Sequence, residues 1–426
     1  MTVPASKLSR DDTFEAVLDR RAIHSIFQPI VSLDDQLPVG YEALARGPQG
    51  SPFASPTALF GEAERRGRVA ELDWICLISA YETVLEATSF DVALFVNAEP
   101  DTFGTRCPAA FLPTYEEASR RLDLVIEVTE RVVTKPATLL KALVELRQRK
   151  VRFALDDVGV DPSSLNMLAL LRPDVIKLDR SITQADVTSW PVAHVINAVL
   201  TEAARSGAAV LAEGIESAEH LNTARSLGAT LGQGWYFGVP GPLPANAKSS
   251  SSPLPRVIPR AASADTPFGV VAKQANVIEV KEQKLTSTSR ILEDKALHAD
   301  DSIMLFATFP RGRDLDDDAR LRYSHMASNG VNVTTYGDGL PAQPAVGIRG
   351  VSLDADDPLA GEKVMVVLGN HFAGALVAKP RHLDRGDIEV DCDAAITYDR
   401  ALIIEAVQTL IQRIPPSTPG GARLFP

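Results

Sequence analysis

Short apolar runs that end, one after another, in polar or charged residues set the tightest limit on what the first 240 or so residues can fold into. The runs are Ile26–Val31, Val39–Leu44, Ala93–Val96, Leu122–Val128, Val151–Leu155, Val175–Leu178, Ala208–Leu211 and a weaker one near Leu231. They are rich in Val, Ile and Leu with little alternation, as strands covered on both faces are. Amphipathic stretches lie between most of them. Phe14, Val17, Leu18 and Ala22 keep helical spacing, as do Leu139, Leu140, Leu143 and Leu146. About eight strands with intervening helices predict an α/β fold, a TIM-type (β/α)8 barrel. Only a short turn around Asp34-Asp35 separates the first two runs, so they should pair as a hairpin. The barrel is then a modified one, with one antiparallel strand among parallel ones.

At 426 residues the chain exceeds one ordinary core, and a second domain is expected. The boundary falls at residues 241–266, where Ser, Pro and Ala dominate and hydrophobic periodicity stops; this segment reads as a linker. Beyond it, residues 267–414 carry shorter strand-like runs: Phe268–Ala272, Val277–Val280, Ile303–Thr308, Val331–Tyr336, Val364–Leu368 and Gly374–Ala378. The last two enclose a hairpin-like join, and an amphipathic helix over Ala401–Ile414 closes a smaller α/β or α+β domain. Residues 415–426 read as a disordered tail, and the barrel domain as 12–240.

A net charge of −12 argues against a nucleic-acid polymer or an anionic membrane as partner. Cys76, Cys107 and Cys392 are too scattered for a metal or redox motif and read as ordinary thiols in a reducing compartment. The N-terminus lacks the layout of a signal peptide, and no run is long enough to cross a bilayer. The expectation is a cytoplasmic protein without membrane insertion.

In barrels of this kind chemistry gathers at the carboxyl ends of the strands. Glu42 and Arg46 follow the second run, and Asn97 ends the third. Glu127 and Glu130 close IEVTE, Asp156 and Asp157 close FALDD, and Lys177 lies in VIKLD. Glu213 and Glu216 close LAEGIE, and Gln233 lies in LGQGW. One such end commonly serves a helix N-terminus; a succession of them on one rim points to a shared site. Glu42, Asn97, Glu127, Asp156 and Asp157 are hard oxygen ligands without histidine, which suits two Mg²⁺ or Mn²⁺ ions and not zinc. Two such ions would polarise a phosphoryl group and activate a water, while Lys177 holds the water or neutralises the growing charge. The chemistry is hydrolysis of a phosphodiester. An aldolase-type barrel with Lys177 as Schiff-base lysine leaves the carboxylates unexplained.

The stretch YEALAR at 41–46, with this set following in order, resembles the EAL domains across roughly residues 12–240. The resemblance implies hydrolysis of cyclic di-GMP to linear pGpG, with metal ligation by Glu42, Asn97, Glu127, Asp156 and Asp157, completed by Glu213. It implies Lys177 acting on the water, Gln233 positioning water or phosphate, and Glu130 anchoring the loop after Asp157. Gln28, Arg46 and Glu216 would contact the nucleotide, and a homodimer follows by family analogy. The family's loop DDFGxGYSSL reads DDVGVDPSSL here, with Val158 for the aromatic and Asp161-Pro162 for Gly-Tyr. The ligands survive, so chemistry should persist while its rate and regulation change. An alternative is a receptor that binds cyclic di-GMP without cleaving it and signals through the C-terminal domain. That domain, through SIMLFATFPRGR and VMVVLGNHFAGALVAK, resembles DICT sensory domains and should regulate the barrel. His371 in its turn reads as structural, and Asp314–Asp318 as a solvated turn that lacks the glycine and distal glutamate of a calcium loop.

Overall fold

The computed structural model describes every residue except 1–12, 100–101, 103–104, 130–139, 141, 144–145, 161–164, 186–188, 246–247, 258–262, 299–302, 382–390 and 416–426. The chain forms two compact units, the first holding all barrel strands and reaching Val257, the second holding everything after it.

In the first unit, eight strands close a barrel: β1 (His24–Ser32), β2 (Pro38–Arg46), β3 (Ala93–Asn97), β4 (Asp123–Thr129), β5 (Arg152–Val158), β6 (Val175–Leu178), β7 (Ala209–Ala212) and β8 (Leu231–Gln233). The expected hairpin is present: β1 runs antiparallel to both β2 and β8, and all other neighbours are parallel. Local chemistry sets the helices between them. The helix Pro56–Arg66 starts on Ser55, whose hydroxyl accepts from the Ala58 N–H, and stops at Gly67, which takes the left-handed conformation (φ 65°).

Strand alternation then decides where the polar residues point. Phe95, Val125, Ala154, Val175, Leu211 and Leu231 share one interior cluster with Ile30. Two residues further along, on the same face, come Asn97, Glu127, Asp156, Lys177, Glu213 and Gln233. Because β1 runs the other way, its interior polar residue, Gln28, precedes Ile30 by two instead.

The Ser/Pro/Ala-rich segment differs from a free linker as far as Val257. Ser250 donates its backbone N–H to Pro38 O (2.9 Å) and its hydroxyl to Asp35 Oδ2 (2.8 Å). Leu254 is buried in the barrel's interior cluster. Arg152, first residue of β5, donates to the carbonyls of Pro255 (3.1 Å) and Leu254 (3.2 Å). Asp174, just before β6, accepts the N–H groups of Val257 (2.6 Å) and Phe153 (2.8 Å). The segment is therefore a strap across the amino ends of the strands, opposite the polar rim. One apolar residue among prolines carries no periodicity, which is why composition alone reads as linker.

The second unit is a seven-stranded mixed sheet in the order β12-β11-β10-β13-β14-β15-β9. Its strands are β9 (Ile278–Lys281), β10 (Ile303–Arg311), β11 (Val331–Asp338), β12 (Ile348–Ser352), β13 (Lys363–Leu368), β14 (Ala373–Pro380) and β15 (Asp391–Thr397). Two expectations change, and some elements were not expected. Phe268–Ala272 is not a strand but part of the short helix Pro267–Val271, because Thr266 caps it (Oγ1 accepts from Gly269 N–H at 3.2 Å) and proline suits its first position. The strands β12 and β15 and the helix Glu282–Leu297 go unannounced by the patterns above. Asp314–Asp318 is a helix start: Asp316 accepts the Ala319 N–H (2.8 Å) for the helix Asp317–Ser328. His371 is exposed in the β13–β14 turn. The closing helix runs Arg400–Ile411 and buries Ile403, Val407, Leu410 and Ile411. The tail expected over residues 415–426 lies, from 416 on, outside the described residues. Among the described residues no helix is long and apolar enough to cross a membrane, and all three cysteines are free thiols.

Candidate active site

Lys177 stands at the centre of the rim, 1% exposed. Its Nζ lies 2.9 Å from Glu127 Oε1, 3.0 Å from Asp156 Oδ1, 2.9 Å from Glu213 Oε1 and 3.8 Å from Glu42 Oε2. Burial alone would lower its pKa; the surrounding Asp156, Glu127, Glu213 and Glu42 carboxylates overturn this and hold it well above the ordinary lysine value.

The carboxylates divide by their partners. Glu42 accepts from Asn97 Nδ2 (2.9 Å) and Gln233 Nε2 (2.6 Å). Burial pushes its pKa up, but Lys177 and the two amides outweigh that and leave it below the usual value. Glu127 is fully buried, and its Oε1 meets the Lys177 ammonium at 2.9 Å. Burial and the charges of Glu42 and Asp156 hold it well above the carboxylate range, against the pull of Lys177. Glu213 is pushed up to about 8, first by burial and then by Asp156 and Glu42.

Asp157 needs a separate device, since strict alternation would turn it away from the interior. The register between β5 and β6 shifts between Leu155 and Val158, and Asp157 adopts the left-handed backbone (φ 58°). Its carboxylate thereby rejoins the site: ligand oxygens of Asp156, Asp157 and Glu213 lie within 4.8 Å of one another. Such strain in a non-glycine residue is characteristic of functional positions.

Among the remaining candidates, Gln233 is buried, and its Nε2 also donates to Gln28 Oε1 (3.3 Å). Gln28 Nε2 in turn donates to Gly238 O (3.2 Å). Arg46 is half-buried at the end of β2 and donates to its neighbour's carbonyl, Ala45 O (2.8 Å). Glu216 is exposed and makes no ion pair to the cluster; its backbone N–H donates to His220 Nδ1 (3.3 Å). Glu130 lies outside the described residues, as do Asp161 and Pro162; Val158 is fully buried.

Two supporting residues escaped the reading of strand ends. Asp73 is buried on the helix Val69–Leu85 and accepts the Glu99 N–H (3.0 Å), holding the backbone just after Asn97. Its one legible signal is a carboxylate inside the apolar run LDWICLISAY. Gly234 follows Gln233 with φ 156°, and a Cβ there would sit 2.1 Å from Ile215 O.

A divalent cation fits this set. The donors are hard oxygens, and three carboxylates, those of Asp156, Asp157 and Glu213, already converge. A closed barrel hosts many chemistries, so the acidic rim marks a place for a hard cation rather than one reaction. The family model for the EAL domain matches residues 10–240, more than half of the chain, and the chain belongs to that family. A second model, the sensory domain in diguanylate cyclases and two-component systems, matches residues 270–381. The chain is 30% identical over 233 residues to the cyclic di-GMP phosphodiesterase RocR of Pseudomonas aeruginosa, covering 53% of this chain and 59% of that protein. It is 29% identical over 227 residues to the probable cyclic di-GMP phosphodiesterase PdeB of Escherichia coli, covering 52% and 43% respectively. Both matches thus span less than two thirds of the relative. Among solved structures, the FimX EAL domain of Xanthomonas citri in complex with c-diGMP matches at 23% identity and TM-score 0.48, covering 55% of this chain and 94% of that one.

Proposed function

We propose that the barrel hydrolyses cyclic di-GMP to linear pGpG with Mg²⁺ or Mn²⁺, under regulation by the second unit. The single observation that carries the reading is the gathering of Glu42, Glu127, Asp156 and Glu213 around Lys177 at one rim of the barrel. A receptor has no need of a full set of hard ligands, and burying this many carboxylates is costly unless cations join them.

Glu42, Asn97, Glu127, Asp156 and Asp157 would hold the cations, with Glu213 completing the set. When bound, such ions supply positive charge to phosphate oxygens and make water a stronger nucleophile at neutral pH. The chain's own groups do the rest. Lys177, fixed by three carboxylates at 2.9–3.0 Å, donates to the attacking water or to a phosphate oxygen as charge grows there. Gln233 and Asn97 hold the Glu42 carboxylate in one orientation. Gln28 and Arg46, at the same rim, would meet the nucleotide. The new P–O bond forms to water as the ester P–O bond breaks, and the leaving sugar oxygen takes up a proton.

Incubating the full chain with cyclic di-GMP and either metal, beside Glu42→Ala, tests this. The wild type should release pGpG and the variant should not. Binding without pGpG in both metals overturns the hydrolase and leaves the receptor.

A further inference from the structure

The second unit holds a cavity of about 830 Å³ that none of the barrel chemistry uses. That volume lies in the range of pockets for drug-sized molecules. It opens at the carboxyl end of β10, which runs parallel to β11 and antiparallel to β13. The helices Glu282–Leu297 and Asp317–Ser328 pack on the same face, since Leu285 and Leu292 of one share a core cluster with Ala319, Tyr323 and Met326 of the other. The cavity is lined from both helices.

The lining states what the ligand is not. Leu285, Ala307, Phe309, Met365 and Leu376 supply an apolar wall. Four cations line the cavity, and each is paired with a carboxylate of the same lining. Lys363 pairs with Glu282, and Arg311 with Asp314 (3.3 Å). Arg322 and Arg290 both reach Glu293 (3.2 and 3.4 Å) and Asp318. Glu293, 8% exposed, also accepts the Tyr323 hydroxyl (3.1 Å), so it is satisfied internally. A fifth carboxylate, Asp316, caps the helix Asp317–Ser328, and Asp317 and Asp318 occupy its first turn. The helix terminus that elsewhere receives phosphate is here filled by the chain's own carboxylates. An anion entering would face five carboxylates and no unpaired cation of the lining.

We infer that this cavity binds an uncharged organic molecule with an apolar body, chemically unlike the cyclic dinucleotide of the barrel. The Ser289 hydroxyl, which donates to Thr286 O (2.9 Å), retains acceptor capacity toward a ligand hydroxyl or amide. Binding here stands whether or not the barrel turns over.

The test is titration of the full chain with N-phenyl-1-naphthylamine, a neutral apolar fluorophore, in the presence and absence of cyclic di-GMP and inorganic phosphate. The inference expects one saturable fluorescence rise that neither anion displaces. Ser289→Trp and Thr286→Trp each put an indole at the cavity and should weaken binding by at least about tenfold. Ile291→Trp, on the same helix but 56% exposed and outside the lining, should leave it unchanged. Circular dichroism identifies which variants fold, and either cavity variant suffices. No saturable binding, equal binding in the folded cavity variants and Ile291→Trp, or displacement by phosphate or cyclic di-GMP overturns the inference.

Discussion

Replacing Lys177 by methionine keeps the length of the side chain and removes the one cation shared by Glu127, Asp156, Glu213 and Glu42. Summing pairwise attractions would overstate the loss, because each buried charge also forgoes hydration; breaking a buried pair costs about 3–5 kcal/mol. The carboxylates can soften that cost by binding protons, and Glu127 and Glu213 already have raised pKa values. An acid whose folded pKa lies above its unfolded one loses stability as pH rises between the two values. The deficit of Lys177→Met should therefore be larger at about pH 8.5 than at about pH 6. Urea unfolding in chelator, followed by tryptophan fluorescence, isolates the effect: Trp74, Trp190 and Trp235, the chain's three tryptophans, all lie in the barrel unit. Added Mn²⁺ should restore more stability to the variant than to the wild type, while pGpG formation stays absent. A variant as stable as the wild type in chelator at the higher pH, or a deficit independent of pH, refutes the shared-charge account.

Leu254→Ala should cost the barrel about 2–4 kcal/mol by leaving a hole in its interior. By the same reasoning a barrel cut after Val257 should resist urea better than one cut after residue 240, measured with the same tryptophans. Asp73, pushed up to about 7 by burial, costs stability as pH climbs from its unfolded value toward 7 and adds no further loss above it. Asp73→Asn keeps an acceptor for Glu99 N–H and should flatten that decline; parallel stability–pH curves for the two proteins would contradict it. Gly234→Ala must displace the Ile215 backbone beside Gln233 and should lower both Tm and pGpG formation, as thermal melts and a turnover assay report.

The barrel was legible because its cause is local. Val/Ile/Leu runs form strands, and period-two alternation carries the interior face from Val125 to Glu127 and from Val175 to Lys177, so the polar strand ends gather at one rim. Where local chemistry was ambiguous, the structure chose. Phe268–Ala272 is as apolar as a strand, yet the Thr266 cap and Pro267 start a helix. Asp314–Asp318 is polar enough for a turn, yet its carboxylates cap a helix.

The succession of barrel strands along the chain, the antiparallel β1–β2 hairpin and the set of polar strand ends follow from the sequence alone, since they depend on neighbours a few residues apart. Only the tertiary structure decided the rest. Asp157 reaches the site through a register shift between β5 and β6 and a left-handed backbone. Lys177 acquires its charge from carboxylates on β2, β4, β5 and the end of β7. Leu254 becomes core because Arg152 and Asp174 hold its backbone across the strands' amino ends. These are contacts between residues far apart along the chain, and a closed barrel is what brings them within bonding distance.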